Sequence, residues 1–513
     1  MKRKIVNIIN FIRGCEPRCE VDLYEPVREQ IALLKTYGFR GSFLLQYDAL
    51  IDPRFVAMMK SEDNRENEIG VWLEIVEPLC QKAGIPWRGR FPWDWHANVG
   101  FSVGYTPVER ELLVDILFED FKATFGAYPR VMGSWIIDTH TLAYAQDKYG
   151  LDASCNCKDQ WGTDGYTLWG AYYNGAYYPS KNNVFSPALK KENAIGVPVF
   201  RMLGSDPVYQ YDCGLDPSSG AASWQGVITL EPVYSGKDGG GGEAAWVDWY
   251  LRENYNDSLM TYGYTQAGQE NSFGWQAMEK GLKLQFERFA EMEKDGLVIE
   301  TLGESGRWFK ESFDETPPTA TVCYDDWKKS GKQSVWYNCK NYRANLYLDQ
   351  NGLRLRDLTL FSDGYRDRYL NGVCTSPVLQ FDTLPVIDGN RFSGDGIMAG
   401  GYFTLEGRKL SARITEVGED GDRLTVSLAD GDRALTVIFD ERGMTAFCED
   451  GKVLSLVYRF DQKKPHPQMA SKGNTLTLCH RGFTYSLSCS APPQVGEGCV
   501  TLSADRITLT AVQ

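Results

Sequence analysis

Carboxylates fall repeatedly where this chain passes from an apolar run into a loop: Glu16, Glu74, Asp94, Asp138, Asp164, Asp206, Glu231 and Glu270. Two such groups can cleave a glycosidic bond, with retention when they stand about 5–5.5 Å apart and inversion at about 6.5–9.5 Å. Asp138 has the most defined setting. It ends an apolar run from Val131 to Ile137, follows Pro129 and Trp135, and precedes a helix that stops at Tyr149-Gly150. In a barrel of repeated strand–helix units, chemistry is assembled at the C-terminal strand ends. Asp-Thr-His-Thr also suits a helix N-cap, so a purely structural role stays open for Asp138. Glu74 closes the apolar run Ile69-Gly70-Val71-Trp72-Leu73. It is placed either for chemistry or for a salt bridge to Arg13.

Around these acids lie aromatic–polar clusters. Trp93-Asp94-Trp95-His96, Asp159–Asp164, Tyr172-Tyr173-Asn174 and Tyr177-Tyr178 pair flat rings with hydrogen-bonding groups. That pairing lines polyol pockets, although packed loops use the same residues. Arg201 and Asp206 are expected either to orient a ligand or to hold their own loop. The chain carries 14 Trp and 28 Tyr, a surplus that suits stacking on sugar rings or an extensive core.

The elements that must position these residues follow from hydropathy. Residues 1–318 alternate apolar strands with amphipathic helices. The strand-like runs are Lys4–Ile12, Gly41–Gln46, Ile69–Ile75, Val131–Ile137 and Met260–Tyr264, and the helical ones include Leu23–Tyr37, Pro107–Thr124 and Trp275–Lys294. This alternation predicts a parallel sheet with helices outside. Residues 155–258 are Gly-, Tyr-, Asn- and Pro-rich and are expected to wall the site. Gly239–Gly242 reads as a surface insertion and not as a phosphate loop. After Pro317-Pro318, residues 319–513 show short alternating strands with Asp-Gly turns at 420–421, 430–431 and 450–451. That pattern predicts an all-β sandwich.

Net charge is −14, from 68 acids and 54 bases, which argues against nucleic acid as the main partner. No run is long and apolar enough for a membrane span. The N-terminal Met-Lys-Arg-Lys-Ile stretch reads as a first buried strand, and the chain as cytoplasmic. The 13 cysteines are odd in number and scattered. Neither local pair, Cys15/Cys19 or Cys155/Cys157, has zinc-knuckle spacing. A homo-oligomer is left open.

Gly133-Ser134-Trp135-Ile136-Ile137-Asp138 resembles the nucleophile stretch of glycoside hydrolase family 57, with Asp for Glu, and the Trp-x-x-Asp of the family 38 mannosidases. Ala267–Trp275, followed by a long helix and a short strand, resembles the family 57 acid/base loop, with Glu270 the carboxylate left in it. Both families share a seven-stranded barrel with polysaccharide deacetylases. The resemblance implies a parallel (β/α)7-type barrel at 1–318 followed by a β-sandwich. It implies a glycoside hydrolase acting on a short oligosaccharide or glycoside, with Asp138 as nucleophile and Glu270 as acid/base. Glu16, Glu74, Trp93, Asp94, His96, Trp135, His140, Asp164, Tyr172, Arg201 and Asp206 are the expected sugar contacts. The first strand departs from those families. It ends Asn10-Phe11-Ile12-Arg13-Gly14-Cys15-Glu16, without the His or Asp-Asp expected there, and the deacetylase metal-binding His pair is absent. No metal or cofactor is therefore expected. The alternatives are a metal-dependent deacetylase-like hydrolase using Asp94, His96, Asp138 or His140, and a sugar-binding protein on a decayed enzyme scaffold.

Overall fold

The computed structural model describes residues 2–210, 227–381, 383–394 and 396–511, without the side chains of 161–163. Seven parallel strands form one curled sheet. They are β1 (Arg3–Ile12), β2 (Ser42–Leu45), β3 (Glu68–Trp72), β4 (Val131–Gly133), β5 (Ala153–Asn156), β6 (Val199–Arg201) and β7 (Tyr262–Ala267). Their order is β7-β1-β2-β3-β4-β5-β6, and β8 (Leu297–Glu300) also pairs with β1. β1 is long enough to hold β8 along its first half and β2 along its second. Buried on both faces, it reads as a nearly continuous apolar run. Between β6 and β7, side chains reach across to backbone. Gln266 Oε1 accepts from Leu203 N at 2.8 Å, and Asn174 Nδ2 donates to Tyr264 O at 3.2 Å. This is the expected barrel.

Helices α1 (Tyr24–Tyr37), α2 (Pro107–Phe125), α3 (Thr139–Tyr149), α4 (Ala244–Asn254), α5 (Trp275–Glu293) and α6 (Leu302–Ser312) follow strands or long loops. Their boundaries obey local chemistry. α2 begins with a complete capping box between Thr106 and Glu109. α3 begins on Asp138 and ends on Gly150 in the left-handed region. β4 is shorter than the apolar run suggested, because Ser134–Ile137 bend away from the ladder towards α3.

From Thr319 onward the chain forms two large antiparallel sheets, of ten and eight strands. Their apolar faces share one core, which includes Val335, Leu346, Phe403, Val426, Phe439 and Leu478. Gly421 and Gly431 sit first in two-residue hairpin loops at φ of 62° and 63°, a conformation glycine adopts without steric cost. This half also reaches back over the barrel. Leu379-Gln380 pairs in parallel with Tyr166-Thr167. Ala97 N and Cys374 N bond across to Pro377 O and Val103 O. Arg343 links Asp159, just past β5, to Asp357 in the sheet at 2.8 Å each.

Gly239–Gly242 are not a surface insertion: all four are buried. A side chain on Gly241 would meet Leu230 O at 2.0 Å, and Gly241 O accepts from Gln285 of α5. Glycine is needed there for close approach. No helix among the described residues is long and apolar enough to cross a membrane.

Candidate active site

The C-terminal strand ends bring a ring of buried polar groups together. Arg13 follows β1, Gln46 follows β2, Glu74 follows β3, Lys158 and Asp159 follow β5, Arg201 closes β6, and Gln269 and Glu270 follow β7. At the centre of one side lies Arg13. Its Nη2 stands 3.3 Å from Glu74 Oε1 and 3.2 Å from Glu270 Oε2, and its Nη1 stands 3.6 Å from Glu16 Oε2. Its guanidinium lies 4.0 Å over the Trp93 ring. Glu74 Oε2 accepts from Trp93 Nε1 at 2.7 Å and from Gln46 Nε2 at 3.0 Å. Glu270 Oε1 accepts from Ser272 Oγ at 2.5 Å.

Glu74 and Glu270 share one nitrogen. Their facing oxygens therefore lie no further apart than those two distances together. Burial raises the Glu74 carboxyl to about 7, assisted by the negative charges of Glu270 and Asp164 and opposed by Arg13. Towards solvent, Arg18 binds Glu16 and, at 3.0 Å, Asp164. It also covers Trp93 and Trp95. Phe91, partly exposed, stacks on Trp95 at 6.0 Å.

The other expected residues divide clearly. Asp138 is buried and fully hydrogen-bonded. Its Oδ1 accepts from Thr141 N and Arg110 Nη1, both at 3.0 Å, and its Oδ2 from Ser102 Oγ at 2.5 Å and Thr141 Oγ1 at 2.6 Å. A carboxylate has about four acceptor sites. All are taken, and Asp138 shares no bonding partner with Glu270. Asp138 is thus the N-cap of α3. His140, partly buried, bonds Glu111 of α2 at 2.9 Å. Asp206 accepts from Val208 N, Tyr209 N and Trp246 Nε1, so it holds its own loop. Tyr172 is fully buried, stacks on Tyr177 and reaches Thr319 Oγ1 at 3.1 Å, a packing role. Asp94 clamps Arg90 and the His96 backbone, and these hold its carboxyl down at about 2. His96 stands half-open beside Trp95.

Trp135 packs on Phe11 and Trp72 with its buried Nε1 unbonded. The buried Asn10 Nδ2, Arg13 Nε and Nη1, Asn156 Oδ1, and Arg201 Nε and Nη1 also lack a hydrogen-bond partner. Native interiors leave few such atoms, and these collect at the ends of β1, β4, β5 and β6. The sequence reading missed Arg18, Gln46 and Lys158. Their one usable signal is position, one to six residues past a barrel strand.

The metal of a deacetylase-type site does not fit these residues. Glu16, Glu74 and Glu270, the carboxylates nearest the end of the first strand, already surround a guanidinium, whose fixed charge repels a cation. Among the described residues, no group of three or more His, Cys, Asp or Glu side chains is placed to hold a metal ion. The twelve described cysteines are free thiols, with Cys155 and Cys157 fully buried.

No family model matches this chain, and no curated protein matches it. Among solved structures, it is similar to a protein from Parabacteroides distasonis assigned as a glycoside hydrolase/deacetylase. That likeness has 15% identity and a TM-score of 0.53, and it covers 74% of this chain and 87% of the other. Weaker likenesses are to a protein from Mycobacterium smegmatis assigned as a polysaccharide deacetylase (12% identity, TM-score 0.36, 60% of this chain and 91% of the other), and to the family 57-type branching enzyme of Pyrococcus horikoshii (12% identity, TM-score 0.33, 61% and 71%). The chain thus shares its fold with the Parabacteroides distasonis protein.

Proposed function

We propose that the chain is a carbohydrate-active hydrolase, a glycosidase of short oligosaccharides or glycosides, whose carboxyl pair is Glu74 and Glu270. The observation that carries this reading is the single Arg13 nitrogen in contact with both acids, at the end of a barrel where strand ends assemble chemistry. Glu74, raised to about 7, is suited to keep its proton near neutrality and give it to a leaving oxygen. Glu270 takes the complementary part, as nucleophile or as base towards water. Arg13 holds both acids in place.

One observation favours a second reading, a sugar-binding protein without turnover: the Arg13 guanidinium donates to Glu74 and is ion-paired with Glu270, so it stands where a substrate would have to reach both acids. The test is hydrolysis of aryl α- and β-glycosides and acetylated oligosaccharides, with and without chelator, by the wild type, Glu74→Gln and Glu270→Gln. Glycoside turnover that survives chelation and collapses in both variants supports the pair. Glycosidase activity indifferent to both substitutions sinks it. Chelator-sensitive release of acetate would favour a deacetylase, and sugar binding without turnover the second reading.

A further inference from the structure

Across the ring from Arg13, the structure buries two cations with little to hold them. Lys158, 1% exposed, gives its ammonium to the neutral amide oxygen of Gln160 at 3.0 Å. It forms no ion pair with a carboxylate among the described residues. Arg201, also 1% exposed, has one long ion-pair contact, Nη2 to Asp159 Oδ1 at 3.4 Å, and lies beside the neutral Tyr177 phenol, while its Nε and Nη1 have no hydrogen-bond partner. Asp159 offers it little, because its other oxygen serves Arg343 and Gln210 at 2.8 Å each. A buried cation without a hydrogen-bonded partner is costly. The buried Arg110 is held differently: it bonds Asp138 and a set of backbone carbonyls.

The two cations stand at the ends of β5 and β6, at the same barrel end as the acids, and share charged neighbours with them. Both bear on the buried Cys157 thiol, which burial raises and they pull back, and Tyr166 and Glu231 bear on it too. Tyr166 lies within the field of Glu74 and Asp164. Glu231 lies within that of Lys158 and Glu270, and accepts from Gln269 at 3.4 Å. The ring therefore has an acid-rich side at β1, β3 and β7 and a cationic side at β5 and β6.

We propose that Lys158 and Arg201 form a subsite for an anionic group on the sugar, a uronic acid carboxylate or a sulfate ester, held across the ring from Glu74 and Glu270. This rests on the site being a carbohydrate hydrolase. The chain's net charge of −14 suits a neutral or cationic ligand, but these buried cations act locally and not through that overall field. Charge-assisted hydrogen bonds from the ammonium and the guanidinium would satisfy the anion.

The experiment compares kcat/KM on matched nitrophenyl glucosides, glucuronides and 6-sulfated glucosides, in both anomers. It uses the wild type, Lys158→Met, Arg201→Gln and the conservative Arg201→Lys, each checked for folding by circular dichroism. Direct binding of free glucuronate and glucose 6-sulfate is measured alongside by calorimetry. The expected result is a preference for one anionic class over the neutral glucoside. That ratio falls by about 30-fold or more in Arg201→Gln and Lys158→Met and is largely kept in Arg201→Lys. Which class is preferred tells carboxylate from sulfate. Neutral glycosides cleaved by the Glu74/Glu270 pair without an anionic preference would overturn the subsite and leave the hydrolase reading standing. Anion binding lost in Arg201→Gln, with no turnover of any substrate, would keep the subsite and remove the hydrolase. Neither anion binding nor anionic preference would overturn it.

Discussion

Two buried arginine–carboxylate clusters stand at the same end of the barrel and differ in how complete they are. In the first, Arg110 bonds Asp138 and the carbonyls of Ser102, Tyr105, Tyr369 and Gly372, while Asp138 receives four donors. In the second, Arg13 touches Glu16, Glu74 and Glu270, yet its Nε and Nη1 lack hydrogen bonds. A satisfied network holds a structure together; an unsatisfied one keeps capacity for something that arrives later. Burial alone therefore does not mark a site, since both clusters are equally dry.

The comparison breaks most sharply on activity. Glu270→Gln and Glu74→Gln should each lower kcat by about 10²–10⁴-fold in glycoside assays, while a folded Asp138→Asn retains far more. The reverse order would return chemistry to Asp138. Next comes stability. Arg110→Met strands a buried carboxylate and several carbonyls, and should cost about 3–5 kcal/mol in denaturant unfolding. Arg13→Met should cost less, because Glu74 already sits near 7 and can take up a proton in place of the lost cation. Equal costs would mean that the two clusters do the same work.

The pH dependence sharpens the contrast further. The folded-state value of Glu74 lies above its ordinary 4.5, at about 7, so the folded chain binds that proton more tightly than the unfolded one. Its contribution is present below about 4.5 and lost as pH rises through 7. Unfolding free energy of the wild type should fall relative to Glu74→Gln by on the order of 3 kcal/mol across that window. Parallel curves would remove the raised carboxyl. Asp48 and Asp367, also raised to about 6 by burial, are common to both proteins and cancel. The smallest effect expected is on α2, which carries Arg110: Thr106→Ala removes its capping box and should cost about 1 kcal/mol, with no change in activity.

Much of the fold was legible because its signals are local. The alternation from Arg3 to Ser312 and the Asp-Gly turns at 420–421 and 430–431 are read over a few residues, and β1, β2, β3, β7, α1, α2 and α5 lie within a few positions of where hydropathy put them, whereas β5, β6 and α4 fall in stretches it did not mark. Asp138 shows the limit. Its strand-end position looked catalytic, and only the arrival of Ser102 and Arg110, remote in the chain, completed its acceptor set. Glu74 and Arg13 could be paired from sequence as a salt bridge. That the same guanidinium also holds Glu270, more than 250 positions from Arg13, depends on barrel closure. Gly239–Gly242 looked like a surface linker because composition carries no record of Leu230 or Gln285 packing against it.

By itself, then, the sequence determined element types, their order and the presence of acids at strand ends, since hydropathy period, caps and turn residues act over one or two turns of chain. Only the tertiary structure decided which acids are spent and which are free. Hydrogen-bond satisfaction depends on partners from other strands, and Asp138, Glu74 and Glu270 have the same chemistry until those partners are in place.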